Sequence, residues 1–327
     1  MFRRFIVALL FLFVAAPAVA GDPLGPVHVS AGTIVDLGVL KSKYADPRRV
    51  VVWLPTGYRA NGPKYSVLYM HDGQNLFDMA DAGYGMEWEV DEHLDRLIAE
   101  NKVRPTIVVA IWNTPKRLRE YVPSKAFAHL LPAYMDRVRG LYGGDPLSDG
   151  YLKFIVRELK PLIDSKYNVR TGRADTVIMG SSMGALISLY AIDEYPHVFG
   201  GAGMLSTHWP LMIPAEGKTL SDADFETVSS AFEQYLAPAL PSPATHRLYF
   251  DHGSETLDAN YARYQDRIDR VVAKRGYRQG VNWLTRSFPG QAHNEVSWAS
   301  RVEIPLRFLL PPRQAGRQWV ESGGSAR

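Results

Sequence analysis

The chain contains no cysteine among its 327 residues. Disulfide bonds, metal sites built on thiolates and a cysteine nucleophile are therefore excluded. Hydrophobic residues make up 46% of the chain and charged residues 22%, as in ordinary globular proteins. A chain of this length without disulfides must be stabilised by the burial of its apolar residues in a core.

Charge of one sign and long apolar runs are also missing. The formal net charge is only +3 and is dispersed along the chain, which argues against a nucleic-acid partner. The apolar run at residues 5–14 is too short to span a bilayer. We therefore expect no nucleic-acid partner and no membrane span once the N-terminal segment is removed.

The N-terminus is typical of a secretory signal peptide at residues 1–20. Arg3 and Arg4 precede the apolar run, and residues 18–20 read Ala-Val-Ala, the small-residue pattern of a cleavage site. An uncleaved membrane anchor is the alternative, but Pro17 and the cleavage pattern follow the run closely. The sequence thus predicts cleavage near Ala20 and a secreted or periplasmic protein.

Strand-like and helix-like segments alternate after about residue 50. Apolar strands are predicted at residues 50–54, 65–70, 107–111, 177–179, 201–205, 248–250 and 282–285. Helices are predicted at residues 88–100, 151–163, 185–192, 259–274 and 296–309, the last interrupted at Pro305. This alternation indicates an α/β fold with a mostly parallel central sheet and helices on both faces.

One domain at residues 21–312 and a flexible polar tail at residues 313–327 are expected. Two proline-rich stretches do not fit the alternation. Residues 113–149 are predicted to be mostly loop, and residues 208–243 are predicted to hold one short helix. Long insertions of this kind usually line an active site.

The most informative motif is Gly180-Ser-Ser-Met-Gly184, which lies between a short apolar strand and an apolar helix. This is the G-x-S-x-G nucleophile elbow in the strand–helix context that it requires. The central serine is Ser182, and a serine nucleophile needs a base that removes its proton. The alternative is a structural serine in a glycine-rich turn, but the context favours a serine hydrolase.

The base is expected to be a histidine after the last strand, because the elbow is normally followed in order by an acid and a histidine. Of nine histidines, His293 lies between a late strand and the closing helix. The acid should follow the strand at residues 248–250, where Glu255 and Asp258 are both candidates. Asp258 is favoured, because aspartate is the commoner partner, although it could simply cap the next helix.

An oxyanion hole requires two backbone N–H groups. One is expected from Met183, directly after the nucleophile, and the other from Gln74 in the loop after an early strand. No cluster of ligand-type residues suggests a metal, and no cofactor is expected. Trp209 is the best candidate for contact with the substrate, because it follows a central strand.

Three segments together resemble the putative esterase family of α/β-hydrolases. They are residues 69–78 (Tyr-Met-His-Asp-Gly-Gln-Asn-Leu-Phe-Asp), residues 180–185 and the late His293-Asn-Glu295. The resemblance covers about residues 45–310. The family includes feruloyl and acetyl-xylan esterases, enterobactin esterases, S-formylglutathione hydrolase and the antigen 85 mycolyltransferases.

The resemblance implies the α/β-hydrolase fold, Ser182 as nucleophile, His293 as base, and Gln74 and Met183 as oxyanion amides. The acid does not carry over, because the position at which the family often places it is Thr256, between Glu255 and Asp258.

The sequence therefore predicts a secreted serine carboxylic-ester hydrolase that acts through an acyl-enzyme. Its substrate is expected to be a carbohydrate ester, a siderophore ester or another small ester. An acyltransferase with the same site and a catalytically inert binding protein with the same fold are the alternatives.

Overall fold

A computed structural model of the protein describes residues 25–80, 82–83, 85–213 and 220–313. The predicted signal peptide lies outside these residues, as does the predicted tail apart from Arg313. The strands in the described part are β1 (Thr33–Leu40), β2 (Arg48–Leu54), β3 (Ser66–His71), β4 (Thr106–Ile111), β5 (Thr176–Ser181), β6 (Gly201–Leu205), β7 (Arg247–His252) and β8 (Trp283–Ser287).

These strands form one sheet in the order β1-β2-β4-β3-β5-β6-β7-β8. The β1–β2 and β2–β4 pairs are antiparallel, and all the other neighbours are parallel. The prediction of an α/β fold with a mostly parallel sheet is confirmed. Strand β1 was not predicted, because it is a half-exposed edge strand with a register shift between Asp36 and Val39.

Helices cover both faces of the sheet. They are α1 (Val90–Ala99), α2 (Arg117–Tyr121), α3 (Ser124–Phe127), α4 (Pro132–Tyr142), α5 (Ser148–Phe154), α6 (Lys160–Lys166), α7 (Met183–Glu194), α8 (Asp222–Ala239), α9 (Ala262–Lys274), α10 (Glu295–Ala299) and α11 (Glu303–Leu309).

The two faces bury separate apolar clusters. In β2, Val50 and Val52 pack in the larger cluster, with helices that include α7 and α8. Val51 and Trp53 point to the smaller cluster, with α1 and α11. Side chains alternate between faces along a strand, so a strand covered on both faces is apolar throughout. In the described part of the chain, no helix is both long and apolar enough to cross a membrane.

The two proline-rich stretches are more helical than the sequence predicted. Residues 113–149 contain α2, α3 and α4, and residues 208–243 contain the 18-residue α8. In α4, Pro132 occupies the first turn and Gly143 ends the helix with φ 76°. Proline at the first helical position and glycine after the last mark helix boundaries, so the prediction that residues 113–149 are mostly loop is wrong.

The closing segment also differs from the prediction. It forms α10 and α11, and the break falls at residues 300–302 instead of at Pro305. Pro305 lies in the first turn of α11, where the missing N–H group has no helical acceptor in any case. The prediction of an interruption at Pro305 is therefore wrong.

Candidate active site

Ser182 lies on the turn between β5 and α7, in a backbone conformation that serine rarely adopts. Its φ is 57° and its ψ is −120°. Its N–H group donates to the Leu205 carbonyl at 2.9 Å, and its own carbonyl accepts from the His208 N–H group at 3.2 Å. Strain of this kind persists only where the surroundings over-determine the conformation, and it is concentrated at functional sites.

Gly180 permits the close contact between β5 and α7 behind this turn. A Cβ atom at Gly180 would lie 2.9 Å from both the carbonyl carbon and the carbonyl oxygen of Gly184. Those atoms are backbone and cannot move aside independently, so the elbow accepts no larger residue at this position.

Two short helical starts supply amides at the same edge of the sheet. Met183 is the first residue of α7, and Gln74 is the central residue of a 3₁₀ turn, Gly73–Asn75, that follows β3. Amides in a first helical turn have no acceptor within the helix and are available to an anion. A Cβ atom at Gly73 would lie 2.5 Å from Cε3 of Trp112, so this turn is packed tightly onto the end of β4.

An ion pair anchors the 3₁₀ turn on its other side. Asp72 accepts from Arg117 through both carboxylate oxygens, from Nε at 2.7 Å and from Nη2 at 2.7 Å, and from Nδ2 of Asn113 at 2.6 Å. Burial raises the pKa of Asp72, but the Arg117 charge and these hydrogen bonds outweigh it and lower the pKa overall. This ion pair was not predicted from the sequence.

His293 lies in the loop between β8 and α10, and its imidazole contacts Asp258. The distance from Nδ1 of His293 to Oδ1 of Asp258 is 2.6 Å. The Tyr261 and Trp298 rings stand edge-on to the imidazole, with centroids 5.6 and 5.0 Å away. The imidazole is therefore held by one carboxylate and two aromatic rings.

Asp258 is buried, with 1% of its surface exposed. Burial raises its pKa, but hydrogen bonds and charge from His293, together with donors from Ser206 and Gly253, lower the pKa overall. The other candidate acid, Glu255, is exposed, and its carboxylate accepts from the Ser254 hydroxyl at 3.1 Å. Of the two acids that the sequence left open, Asp258 is the one that contacts His293.

Several further buried polar residues, none of them predicted from the sequence, surround this pair. Ser206, with φ 45°, directly follows β6, and its hydroxyl donates to Asp258. Like Ser182, Ser206 directly follows a strand of the sheet, and this position could have marked it as a candidate site residue. Arg301 lies between α10 and α11 and contacts both Ser206 and Asp251. Nothing in the local sequence marks Arg301 as part of the site.

His208 is a second histidine beside the elbow. Its Nδ1 lies 2.7 Å from the Tyr261 hydroxyl, and the residue is 5% exposed. Burial, followed by the charges of His293 and Arg117, lowers the pKa of His208 to about 3. The His208 imidazole is therefore uncharged at neutral pH and contributes a polar side chain beside the elbow. His208 also precedes the acid in the chain, which does not fit the expected order of nucleophile, acid and histidine.

Glu295 joins the His293 loop to the 3₁₀ turn that carries Gln74. It is 5% exposed, and its Oε1 accepts from Nδ2 of Asn75 at 3.0 Å. Burial is the main reason that the pKa of Glu295 rises to about 7 from an ordinary value of 4.5. Because the native carboxyl binds its proton more tightly, the contribution of Glu295 to stability is greatest below pH 4.5 and is lost as the pH rises through 7.

We expect Glu295→Gln to stabilise the protein more at pH 8 than at pH 5, relative to wild type. Glutamine keeps the acceptor for Asn75 but cannot ionise, so the penalty of about 1–3 kcal/mol for a buried carboxylate disappears. Calorimetric Tm values of both proteins at the two pH values measure the effect. An identical Tm difference at pH 5 and pH 8 would contradict the expectation.

Trp209 does not lie on an accessible surface of the site. It is 1% exposed, packs edge-on against Phe232 at 5.2 Å between ring centroids, and donates from Nε1 to Oε1 of Gln265 at 3.0 Å. The prediction that Trp209 contacts the substrate is therefore corrected. An indole in the core has no free face for a ligand, and its N–H group is already paired.

We expect Trp209→Phe to lower the free energy of unfolding by about 1–3 kcal/mol, because it removes buried volume and leaves the Gln265 oxygen without its donor. The KM for ester substrates should change by less than about twofold. Urea denaturation and steady-state kinetics measure the two effects. A large change in KM at unchanged stability would restore a substrate role for Trp209.

Among residues 25–80, 82–83, 85–213 and 220–313, no group of three or more His, Asp or Glu side chains is arranged to hold a metal ion. The polar groups on the elbow and on the segments described above are instead a serine, two imidazoles, a buried carboxylate and helix-start amides. This set can perform nucleophilic acyl transfer, in which a base activates the hydroxyl and amides bind the oxyanion.

Comparison with known proteins agrees with this chemistry. The family model described as "Putative esterase" matches residues 42–301. The uncharacterized protein YbbA of Bacillus subtilis (strain 168) is 29% identical over 173 residues, which cover 53% of this chain and 62% of YbbA. A second curated relative, YjcH of the same organism, is also matched over 62% of its length, at 22% identity. The chain thus covers less than two thirds of either relative.

Two solved structures share the fold. An IroE-like serine hydrolase from Shewanella oneidensis is 20% identical, with a TM-score of 0.58 over 84% of this chain and 78% of its own. A ferulic acid esterase from the anaerobic fungus Anaeromyces mucronatus is also 20% identical, with a TM-score of 0.54 over 88% of this chain and 94% of its own.

Proposed function

The chain belongs to the putative esterase family, and from that premise we propose that it is a serine carboxylic-ester hydrolase with a triad of Ser182, His293 and Asp258. The single observation that carries the proposal is the 2.6 Å contact between Nδ1 of His293 and Oδ1 of Asp258. A buried carboxylate in this position fixes the tautomer and orientation of the imidazole and stabilises its cation.

In the proposed mechanism, Ser182 Oγ attacks the ester carbonyl while Nε2 of His293 takes the hydroxyl proton. The carbonyl oxygen becomes an oxyanion that accepts hydrogen bonds from the Gln74 and Met183 amides. As the tetrahedral intermediate collapses, the bond to the alcohol breaks, and His293 gives the proton to the departing oxygen. Water then attacks the acyl-enzyme by the same steps, which releases the acid and regenerates Ser182.

Two parts of the proposal concern the substrate and the location of the protein. The substrate is a small ester, such as a sugar, siderophore or hydroxycinnamoyl ester, in keeping with the ferulic acid esterase that shares the fold. Export rests on residues 1–20, which lie outside the described residues. Mass spectrometry of exported protein should find an N-terminus at Gly21, and a retained Met1 would contradict cleavage.

The test of function is hydrolysis of p-nitrophenyl esters of increasing acyl length, combined with labelling by a fluorophosphonate. We expect hydrolysis that the phosphonate abolishes, with one adduct on the peptide that carries Ser182. Undiminished hydrolysis after labelling, or an adduct elsewhere, would contradict the proposed nucleophile. No hydrolysis and no adduct would indicate an inert binding protein.

The same experiment separates hydrolysis from acyl transfer when an alcohol or a sugar is added as acceptor. Free acid as the main product supports the hydrolase. A new ester that exceeds the free acid would instead make the protein an acyltransferase with the same acyl-enzyme.

A further inference from the structure

A buried hydroxyl lies directly behind the proposed triad acid. Ser206 follows β6 with φ 45° and has none of its surface exposed. Its N–H group donates to the backbone oxygen of Asp251 at 2.9 Å and lies 3.2 Å from the carboxylate Oδ1 of the same residue. The strained backbone is thus fixed from the neighbouring strand β7, and the position of the hydroxyl is determined with it.

The direction of each hydrogen bond at this hydroxyl follows from its partners. Nε1 of Trp298 and Nη2 of Arg301 each lie 2.9 Å from Ser206 Oγ. An indole and a guanidinium only donate, so both lone pairs of the hydroxyl are occupied. Its one proton is therefore directed to Oδ2 of Asp258 at 2.6 Å.

Arg301 supplies a buried positive charge to the same cluster. Its guanidinium contacts both carboxylate oxygens of Asp251, from Nη2 at 3.0 Å and from Nε at 3.3 Å, and Nη2 lies 4.0 Å from Oδ2 of Asp258. Arg301 is 3% exposed and Asp251 is not exposed at all. Arg301 thus forms its ion pair with Asp251, and its positive charge still lies close enough to Asp258 to stabilise that carboxylate.

We propose that Ser206 and Arg301 are positioning residues that saturate Oδ2 of Asp258, so that Oδ1 is left as the acceptor that orients His293. This inference rests on the proposed function. The N–H group of Gly253 also donates to Oδ2, at 2.5 Å, so this oxygen receives two hydrogen bonds and a nearby charge. The carboxylate cannot rotate without breaking them, and the imidazole is held through it.

A structural role alone predicts a different result from a positioning role. Loss of a purely structural network lowers activity equally at every pH. Loss of the donors to Asp258 leaves its negative charge less compensated, which stabilises the imidazolium of His293. More alkaline conditions are then needed to form the neutral base, so the acid limb of the kcat/KM profile moves to higher pH.

The other charged or titratable groups around Asp258 and His293 are not themselves substituted in these variants. They are His208 and Tyr261 near the imidazole, Arg117 beyond His208, and Asp251 behind Asp258. A shift of the acid limb in Ser206→Ala is therefore assigned to the lost donor, whereas in Arg301→Met the buried Asp251 also loses its ion-pair partner and contributes to the shift.

The experiment is a pH profile of kcat/KM for wild type, Ser206→Ala, Arg301→Met and Arg301→Lys. We expect Ser206→Ala and Arg301→Met to lower kcat/KM about 10- to 100-fold at neutral pH and to move the acid limb upward by about half a pH unit or more. Arg301→Lys should restore part of both effects, because it keeps the charge. Tyr249→Phe, which removes a buried hydroxyl bonded to Asp251, is the matched control and should leave the acid limb in place.

A double-mutant cycle keeps the inference testable if a single variant is unstable. In the Asp258→Asn background, Ser206→Ala should have little further effect, because its influence passes through Asp258. A loss of activity with an unmoved acid limb, or full additivity in the cycle, would overturn the inference. Near-normal activity of Asp258→Asn itself would instead overturn the proposed triad acid, so the two failures are distinguishable.

Discussion

Ser182→Ala is expected to lower kcat for ester hydrolysis by about 10⁴- to 10⁶-fold. Loss of a triad nucleophile leaves only the catalysis that the oxyanion amides and substrate binding supply. Alanine lacks only the hydroxyl of serine and keeps its Cβ atom, so the turn between β5 and α7 should persist. Steady-state hydrolysis of a p-nitrophenyl ester, with circular dichroism to show that the variant is folded, measures the effect.

Ser181→Ala is the matched control, because Ser181 is the adjacent serine and is also largely buried, at 6% exposure. Ser181 ends β5 and pairs with Leu205 of β6, so its side chain belongs to the strand and not to the turn. We expect the control to keep kcat within about fivefold of wild type. Activity of Ser182→Ala within tenfold of wild type would show that another residue is the nucleophile.

Asp258→Asn should lower kcat about 10³- to 10⁴-fold, the second largest effect that we expect. An amide in this place can donate to Nδ1 of His293 and so favour the tautomer whose Nε2 carries the proton and cannot act as a base. It also removes the negative charge that stabilises the imidazolium. Single-turnover and steady-state kinetics at the pH optimum measure the loss of acylation rate.

Glu255→Gln makes the same chemical change three residues earlier in the chain. Because Glu255 is exposed and contacts Ser254, kcat should stay within about threefold of wild type. The reverse pattern, a large loss in Glu255→Gln with near-normal Asp258→Asn, would reassign the acid to Glu255 and require the loop to rearrange around the substrate.

The choice between the two candidate acids shows the limit of what a local sequence pattern can predict. Glu255 and Asp258 both follow β7, and spacing alone could not separate them. In the structure a 3₁₀ turn, Thr256–Asn260, begins with Thr256 at φ 54° and turns Asp258 inward. The direction of a side chain after a strand depends on such backbone angles, which the residue types do not reveal.

Trp209 shows the opposite error, in which a correct position in the chain led to a wrong role. It does follow β6 near the elbow, as the sequence indicated. Residues of α8 and α9 cover its ring, including Phe232 and Gln265. Because only one short helix was expected in residues 208–243, the 18-residue helix that buries this tryptophan was not anticipated in full.

By itself, the sequence determined the alternation of strands and helices, the mostly parallel sheet and the elbow motif at Ser182. These features are local, because hydrophobic periodicity and a five-residue turn motif are complete within short windows. Only the tertiary structure decided that Asp258 contacts His293, that Ser206 and Arg301 lie behind it, and that Trp209 is core. Each of these depends on contacts between segments distant in the chain, and such contacts are set by packing and burial.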